Sequence, residues 1–154
     1  MSAHLANVTA FTAWLENWKF DKFFTLATNK SVAPAIMRDR LREWDGRMNR
    51  KIVGREWSER IEDRMFSFYF LEKPMTNSHW HGLVRFVGEE PKREKQQLIF
   101  NDKIEKLWRK LVPTGTVEVR QVYDQAGANE YVAKELYHEL QYTQMVTPDE
   151  LERG

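Results

Sequence analysis

The spacing of apolar positions along this chain changes several times, and each change marks an element. Phe11, Trp14, Leu15 and Trp18 in "TAFTAWLENWK" (9–19) recur at three- and four-residue intervals, which predicts a helix. "KFFTLATN" (22–29) is rich in β-formers and stops at Asn29, a first strand. Pro34 suits the first turn of a helix running to about Lys51, with Ile36, Arg40, Leu41 and Trp44 among its faces. Gly54 and "REWSERIED" read as a polar connection with room for a short strand. "RMFSFYFLE" (64–72) alternates aromatics as a strand buried on at least one face does, "KPMTNS" is a turn, and "HWHGLVRFV" (79–87) returns antiparallel. A second long helix follows over 91–111, with Leu98, Asn101, Ile104, Leu107, Trp108 and Leu111 in helical spacing and Glu89 and Glu90 at its positive end. "TVEVRQVY" (116–123) predicts a fourth strand and "GANEYVAKELYHEL" (127–140) a last helix. This order predicts an α+β fold, a central antiparallel β-sheet flanked by helices, of the ferredoxin-like or RNA-recognition type.

Composition narrows the class. At 154 residues, without repeat, low-complexity tract or Gly/Ser linker, the chain suits one domain over 1–154. A hydrophobic content of 42% argues against disorder, while the net charge of +1 gives no global nucleic-acid signature, so any such binding would rely on local patches. The absence of cysteine excludes disulfides and thiolate metal sites. No apolar stretch approaches the roughly 18 residues of a membrane span, and "MSAHLANVTAF" lacks a basic region followed by an apolar one. A soluble intracellular protein is the expectation.

Two of the four histidines stand one residue apart in "HWHGLV". On a strand His79 and His81 share one face, about 6.6 Å apart at the Cα atoms, while Trp80, Val84 and Phe86 supply the buried face. Two imidazoles so placed can lean onto one ion with bonds of about 2.1 Å. The same pattern also fits two histidines dotting a solvent face. Glu72 is the nearest carboxylate, but alternation groups it with Phe66, Phe68 and Phe70, a row that reads as core. Strand pairing decides whether that is also the histidine face.

In "NEYVAKEL", Tyr131 and Lys134 lie three apart on a helix, about 60° around its axis. A phenol with a pKa near 10 is a poor nucleophile at neutral pH. It becomes useful against a phosphodiester when an ion polarises the phosphate and a neighbouring cation stabilises the phenolate or leaving oxygen. Alone, such a pair is common filler. Tyr137, about 120° around the axis from Tyr131, cannot readily share its site.

Together, "FFTLATN", "HWHGLV" and "YVAKE" resemble, in order and spacing over roughly residues 20 to 142, the three motifs of the HUH-superfamily replication-initiator (Rep) endonucleases. The resemblance implies metal ligation by His79 and His81 with Glu72 third, Tyr131 as nucleophile and Lys134 as assisting cation. It implies Mg²⁺ or Mn²⁺, although two imidazoles suit zinc at least as well. Thr25, Thr28 and Asn29 would contact phosphate or base. The activity implied is sequence-specific nicking and rejoining of single-stranded DNA through a 5′-phosphotyrosine intermediate, initiating rolling-circle replication, without the helicase domain that many relatives append. The chain would be a stand-alone nickase or an excised catalytic domain. It would act as a monomer on a hairpin-adjacent origin, with host replication proteins as partners and no membrane. Its place would be the cytoplasm for a bacterial, phage or plasmid protein and the host nucleus for a eukaryotic virus.

Basic clusters in "RDRLREWDGRMNRK" (38–51) and "KREK" (92–95) offer Arg38, Arg42, Lys92 and Arg93 as DNA contacts, although interspersed acids also suit surface pairing. Three rival readings remain. Single-strand transposases of small insertion sequences share the histidines and tyrosine but typically carry glutamine where Lys134 stands. An RRM-like binding module would use Phe66, Phe68 and Phe70 as stacking platforms without chemistry. A zinc hydrolase would not need Tyr131.

Overall fold

The computed structural model describes residues 13, 17, 19–72, 77–121 and 145–152. The elements in order are β1 (Lys22–Ala27), α1 (Pro34–Val53), a 3₁₀ turn (Ile61–Asp63), β2 (Phe66–Glu72), β3 (His79–Arg85), α2 (Lys92–Leu111), β4 (Thr116–Gln121), β5 (Met145–Val146) and α3 (Pro148–Glu152). The sheet order is β4-β1-β3-β2-β5, and every neighbouring pair is antiparallel. From β1 to β4 the succession is β-α-β-β-α-β, so the α+β fold is the split-βαβ arrangement of the ferredoxin type.

Strand alternation gives the sheet two unlike faces. On one, Phe24, Leu26, Tyr69, Leu71, Trp80 and Val84 meet Met37, Leu41, Trp44 and Met48 of α1 and Phe100, Ile104, Leu107 and Trp108 of α2. Each set of helical residues falls at intervals of three, four or one, so one stripe of each helix is covered. Leu98, expected on that stripe, is exposed instead; Phe100, four before Ile104, takes the inward position. Three buried indoles tie the layers together by donating N–H bonds to carbonyls. Trp44 reaches Ile104 at 3.2 Å, Trp80 reaches Met37 at 3.0 Å and Trp108 reaches Ala27 at 2.8 Å.

Gly82 of the His-Trp-His-Gly run has a packing role. It faces Phe24 across the β1–β3 pair, and a Cβ there would come 2.3 Å from the Phe24 ring. That ring is itself held by Trp44, Tyr69 and Phe100 at centroid distances of 5.6, 5.9 and 5.4 Å. Beside it, the buried Asp45 carboxylate accepts the Tyr69 hydroxyl proton at 2.7 Å and the Asn49 amide at 2.9 Å, and Asn49 Oδ1 accepts the Met65 N–H at 3.0 Å. Burial pushes the Asp45 carboxyl up to about 6, outweighing these bonds and the nearby Arg64 charge, which favour the ionised form.

The opposite face carries Phe23, Thr25 and Ala27 of β1, His79, His81 and Leu83 of β3, and Phe66, Phe68, Phe70 and Glu72 of β2, all in cross-strand register. The β2 aromatic row therefore lies on the face away from α1 and α2. Phe68 and Phe70 are nevertheless buried, with Phe20 edge-on to Phe68 at 5.8 Å.

Observed boundaries depart from the expected ones for local reasons. β1 stops at Ala27, and Asn29 then adopts a left-handed conformation at φ 61°. β3 stops at Arg85, after which the Phe86 N–H is taken by the Asp21 carboxylate at 2.8 Å. The connection 54–65 contains the 3₁₀ turn and no strand, and β5 and α3 were not expected from the sequence. Of the helix expected over 9–19, only Ala13, Asn17 and Lys19 are described; that over 127–140, with the end of the fourth strand, lies outside the described residues.

Gly82→Ala is expected to cost about 1–3 kcal/mol by overpacking, read as a lower urea midpoint at unchanged m-value. For Asp45, a folded pKa above the ordinary carboxylate value means that its stabilisation is complete below about 4 and is lost as pH rises through about 6. Between pH 4 and 7 this amounts to something on the order of 3 kcal/mol, at 1.36 kcal/mol per unit. Asp45→Asn should lack that component when the unfolding free energies of both proteins are compared across this range.

Candidate metal centre

The β2–β3 register sets Glu72 opposite His79 and Phe70 opposite His81. Both imidazoles and the carboxylate thus stand on the face opposite α1 and α2, which answers the question that alternation alone left open for Glu72. His79 Nε2 and His81 Nε2 are 3.2 Å apart. Glu72 Oε2 lies 2.9 Å from His81 Nε2 and in direct contact with His79 Nε2. One ligand atom from each side chain converges on a common point.

The outer nitrogens are held by neighbours. His79 Nδ1 lies 3.0 Å from the Asn77 carbonyl, which can only accept, so this nitrogen carries a proton and Nε2 is the ring atom turned toward Glu72 and His81. His81 Nδ1 lies 3.2 Å from Thr25 Oγ1, which can accept its proton with the same result. Phe23 stacks on the His81 ring at 5.6 Å, with planes 16° apart. Asn77 is anchored in turn, its Oδ1 accepting the Asn29 N–H at 2.8 Å, while Asn29 Nδ2 donates to the Thr114 carbonyl at 2.9 Å and to Thr116 Oγ1 at 3.2 Å.

Three inward lone pairs repel one another unless a proton or a cation lies among them, so this donor set fits a divalent ion. Neighbouring ligands are about 3.0 Å apart on an octahedral ion with bonds of about 2.1 Å, and about 3.3 Å apart on tetrahedral zinc. Two of the three separations, 2.9 and 3.2 Å, are close to these values, while the His79–Glu72 contact is shorter than either; two nitrogens with one oxygen suit manganese or zinc.

Beside the histidines, a cleft of 530 Å³ opens over β1 and β4, lined among others by Thr25, Asn29, Asn77, Thr116, Glu118 and Arg120. Thr25 and Asn29, singled out by the first motif, are therefore at the site. Thr28 is buried and donates its hydroxyl to the Ser78 carbonyl at 2.8 Å, joining the end of β1 to the approach to β3. The basic candidates lie elsewhere. Arg38 pairs with Glu150 at 3.3 Å, and Arg42 lines a cleft on the helical side. Lys92 contacts Asp63, and Arg93 bonds Asp21 at 2.6 Å near the Phe86 end of β3, opposite the His79 end. Tyr131 and Lys134 lie outside the described residues. Sequence reasoning missed Asn77, Thr116, Glu118 and Arg120. The only available signal was position, Asn77 two before His79 and the others alternating on the fourth strand.

No family model matches the chain, and no curated protein matches it. Among solved structures, the hypothetical protein ORF119 from Sulfolobus islandicus rod-shaped virus 1 aligns at a TM-score of 0.46 and 11% identity, covering 89% of this chain and 93% of that one. A likeness so distant carries no inference. Among the described residues, no helix is long and apolar enough to cross a membrane.

His79→Ala and Glu72→Gln are each expected to weaken Mn²⁺ binding by more than tenfold in calorimetric titration, with the far-ultraviolet dichroism unchanged. Thr25→Val, which removes the hydroxyl beside His81 Nδ1, should lose about tenfold, and Thr25→Ser should restore the affinity.

Proposed function

We propose that the chain is a metal-dependent enzyme that nicks and rejoins single-stranded DNA, of the rolling-circle replication-initiator type. The observation that carries this reading is the Glu72–His79–His81 cluster, which gathers three ligand atoms on the sheet face opposite α1 and α2, beside a polar cleft. Tyr131 and Lys134 enter through the sequence motif.

A divalent ion bound by the cluster would polarise the scissile phosphate as a Lewis acid. The chain supplies the rest. Asn77 and Thr25 fix the ring orientations, so the ligands need little rearrangement on loading. The cleft, with the amides of Asn29 and Asn77 and the guanidinium of Arg120, offers polar contacts to a strand crossing β1 and β4. Tyr131 attacks phosphorus, the P–O3′ bond breaks, the phenol gives up its proton and the departing 3′ oxygen gains one. Lys134 supplies positive charge during the exchange. Because one phosphodiester replaces another, a later 3′-hydroxyl can reverse the step without an external energy source. The chemistry would be shared with single-strand transposases. The RRM-like reading is less well supported, since Phe68 and Phe70 are buried and only Phe66 of that row is partly accessible.

Incubation with a randomised single-stranded library and Mn²⁺ is expected to yield a covalent adduct that survives denaturing electrophoresis and carries the 5′ end of the product. Tyr131→Phe should bind the selected sequence as wild type does and form no adduct. Strand cleavage that persists in this variant would instead indicate a metal hydrolase, and binding without cleavage by the wild type a recognition module.

A further inference from the structure

A second polar cleft, of 330 Å³, lies on the helical side of the sheet, away from the metal centre. Arg42, Gly46 and Arg50 follow one another at four-residue intervals along α1 and so share one stripe. The Trp57 ring edge rests on that stripe at Gly46, where a Cβ would lie 3.2 Å from the indole. Arg64 sits over the Trp57 ring, 4.7 Å from its centroid.

Arg64 is the informative residue. It is only 8% exposed, opens on the cleft, and among the described residues its guanidinium makes no hydrogen bond or ion pair. Asp45 is near enough to interact electrostatically, but its two oxygens accept from Tyr69 and Asn49 and make no hydrogen bond to Arg64. The Arg64 N–H donors are thus left to the cleft with no protein acceptor among the described residues. Arg47 is tied to Glu43 at 2.9 Å, whereas Arg42 and Arg50 are exposed and make no ion pair among the described residues. Four arginines against the two carboxylates of Glu43 and Asp45 leave an excess of two positive charges around the cleft. A phosphate monoester carries about −1.5 to −2 at neutral pH and three strong acceptor oxygens, which planar guanidinium forks match.

We propose that Arg42, Arg50 and Arg64, arranged around Trp57, form a phosphate-binding site separate from the metal centre. The phosphate belongs either to a small phosphoester or to the backbone of a nucleic-acid strand; a backbone diester carries one negative charge and two non-bridging oxygens, and both sources offer anionic oxygens to the guanidinium forks.

The test is calorimetric titration of the whole chain with inorganic pyrophosphate, in EDTA so that the metal centre takes no part. Wild type and Glu72→Gln should bind it equally. Arg42→Gln/Arg50→Gln, which changes only exposed side chains, should lose about tenfold or more while its ligand-free unfolding midpoint stays put. Arg64→Lys should weaken binding as well. A short oligothymidylate without terminal phosphate that displaces pyrophosphate, and itself binds less well to the double variant, identifies a strand as the source. Failure to displace identifies a small phosphoester. The proposal is overturned if wild type shows no saturable binding of either probe, or if the double variant binds as wild type does.

Discussion

The pairing register between β2 and β3 is the constraint from which the candidate site follows. Glu72 stands opposite His79 because Phe70 stands opposite His81 and Tyr69 opposite Gly82. Side chains on a strand alternate faces, so a slip of one residue would send the carboxylate to the helical side and break up the cluster. Packing on both faces opposes such a slip. Tyr69 and Leu71 are fully buried toward the helices, and Phe68 and Phe70 are buried on the other side. Neither row fits where the other lies, since Tyr69 needs the Asp45 carboxylate for its hydroxyl and Phe68 meets Phe20 edge-on.

The helical layer extends this control to β1. Trp108 bonds the carbonyl of Ala27, and Asn29 binds Asn77 across the gap between the β1 terminus and the approach to β3. His79 is therefore oriented by a segment whose own position depends on the first strand, and His81 by Thr25 on that strand. The motif "FFTLATN" thus has a mechanical reading that needs no ligand. Phe24 packs over Gly82, Phe23 stacks on His81 and Thr25 holds its ring, while Asn29 turns left-handed to reach the loop before β3.

Much of this was legible in the sequence where periodicity is strong. The two long helices, the four main strands and the shared face of His79 and His81 follow from spacing alone. Glu72 could not be assigned so, because its face relative to the histidines depends on pairing between strands, a non-local property. Leu98 misled because hydrophobicity at a helical interval does not identify which of two overlapping stripes is covered, and Phe100 took the inward one. Trp57, in a stretch that reads as a polar connection, and Arg64, the first residue of the expected strand, gave no sign that they would stack beside Gly46. The surroundings of the histidines were equally hidden, because a carbonyl such as that of Asn77 carries no residue-type signal.

The identity of those outer partners has an electrostatic consequence. Among the described residues a backbone carbonyl and a hydroxyl back the two rings, and the ligand set of Glu72, His79 and His81 contributes a single formal negative charge, that of Glu72. With a divalent cation held there, the ion and its ligands would keep a net charge of +1, which attracts a polyanion. Occupancy by either would then favour the other, and thermodynamic reciprocity makes the two enhancements equal in size.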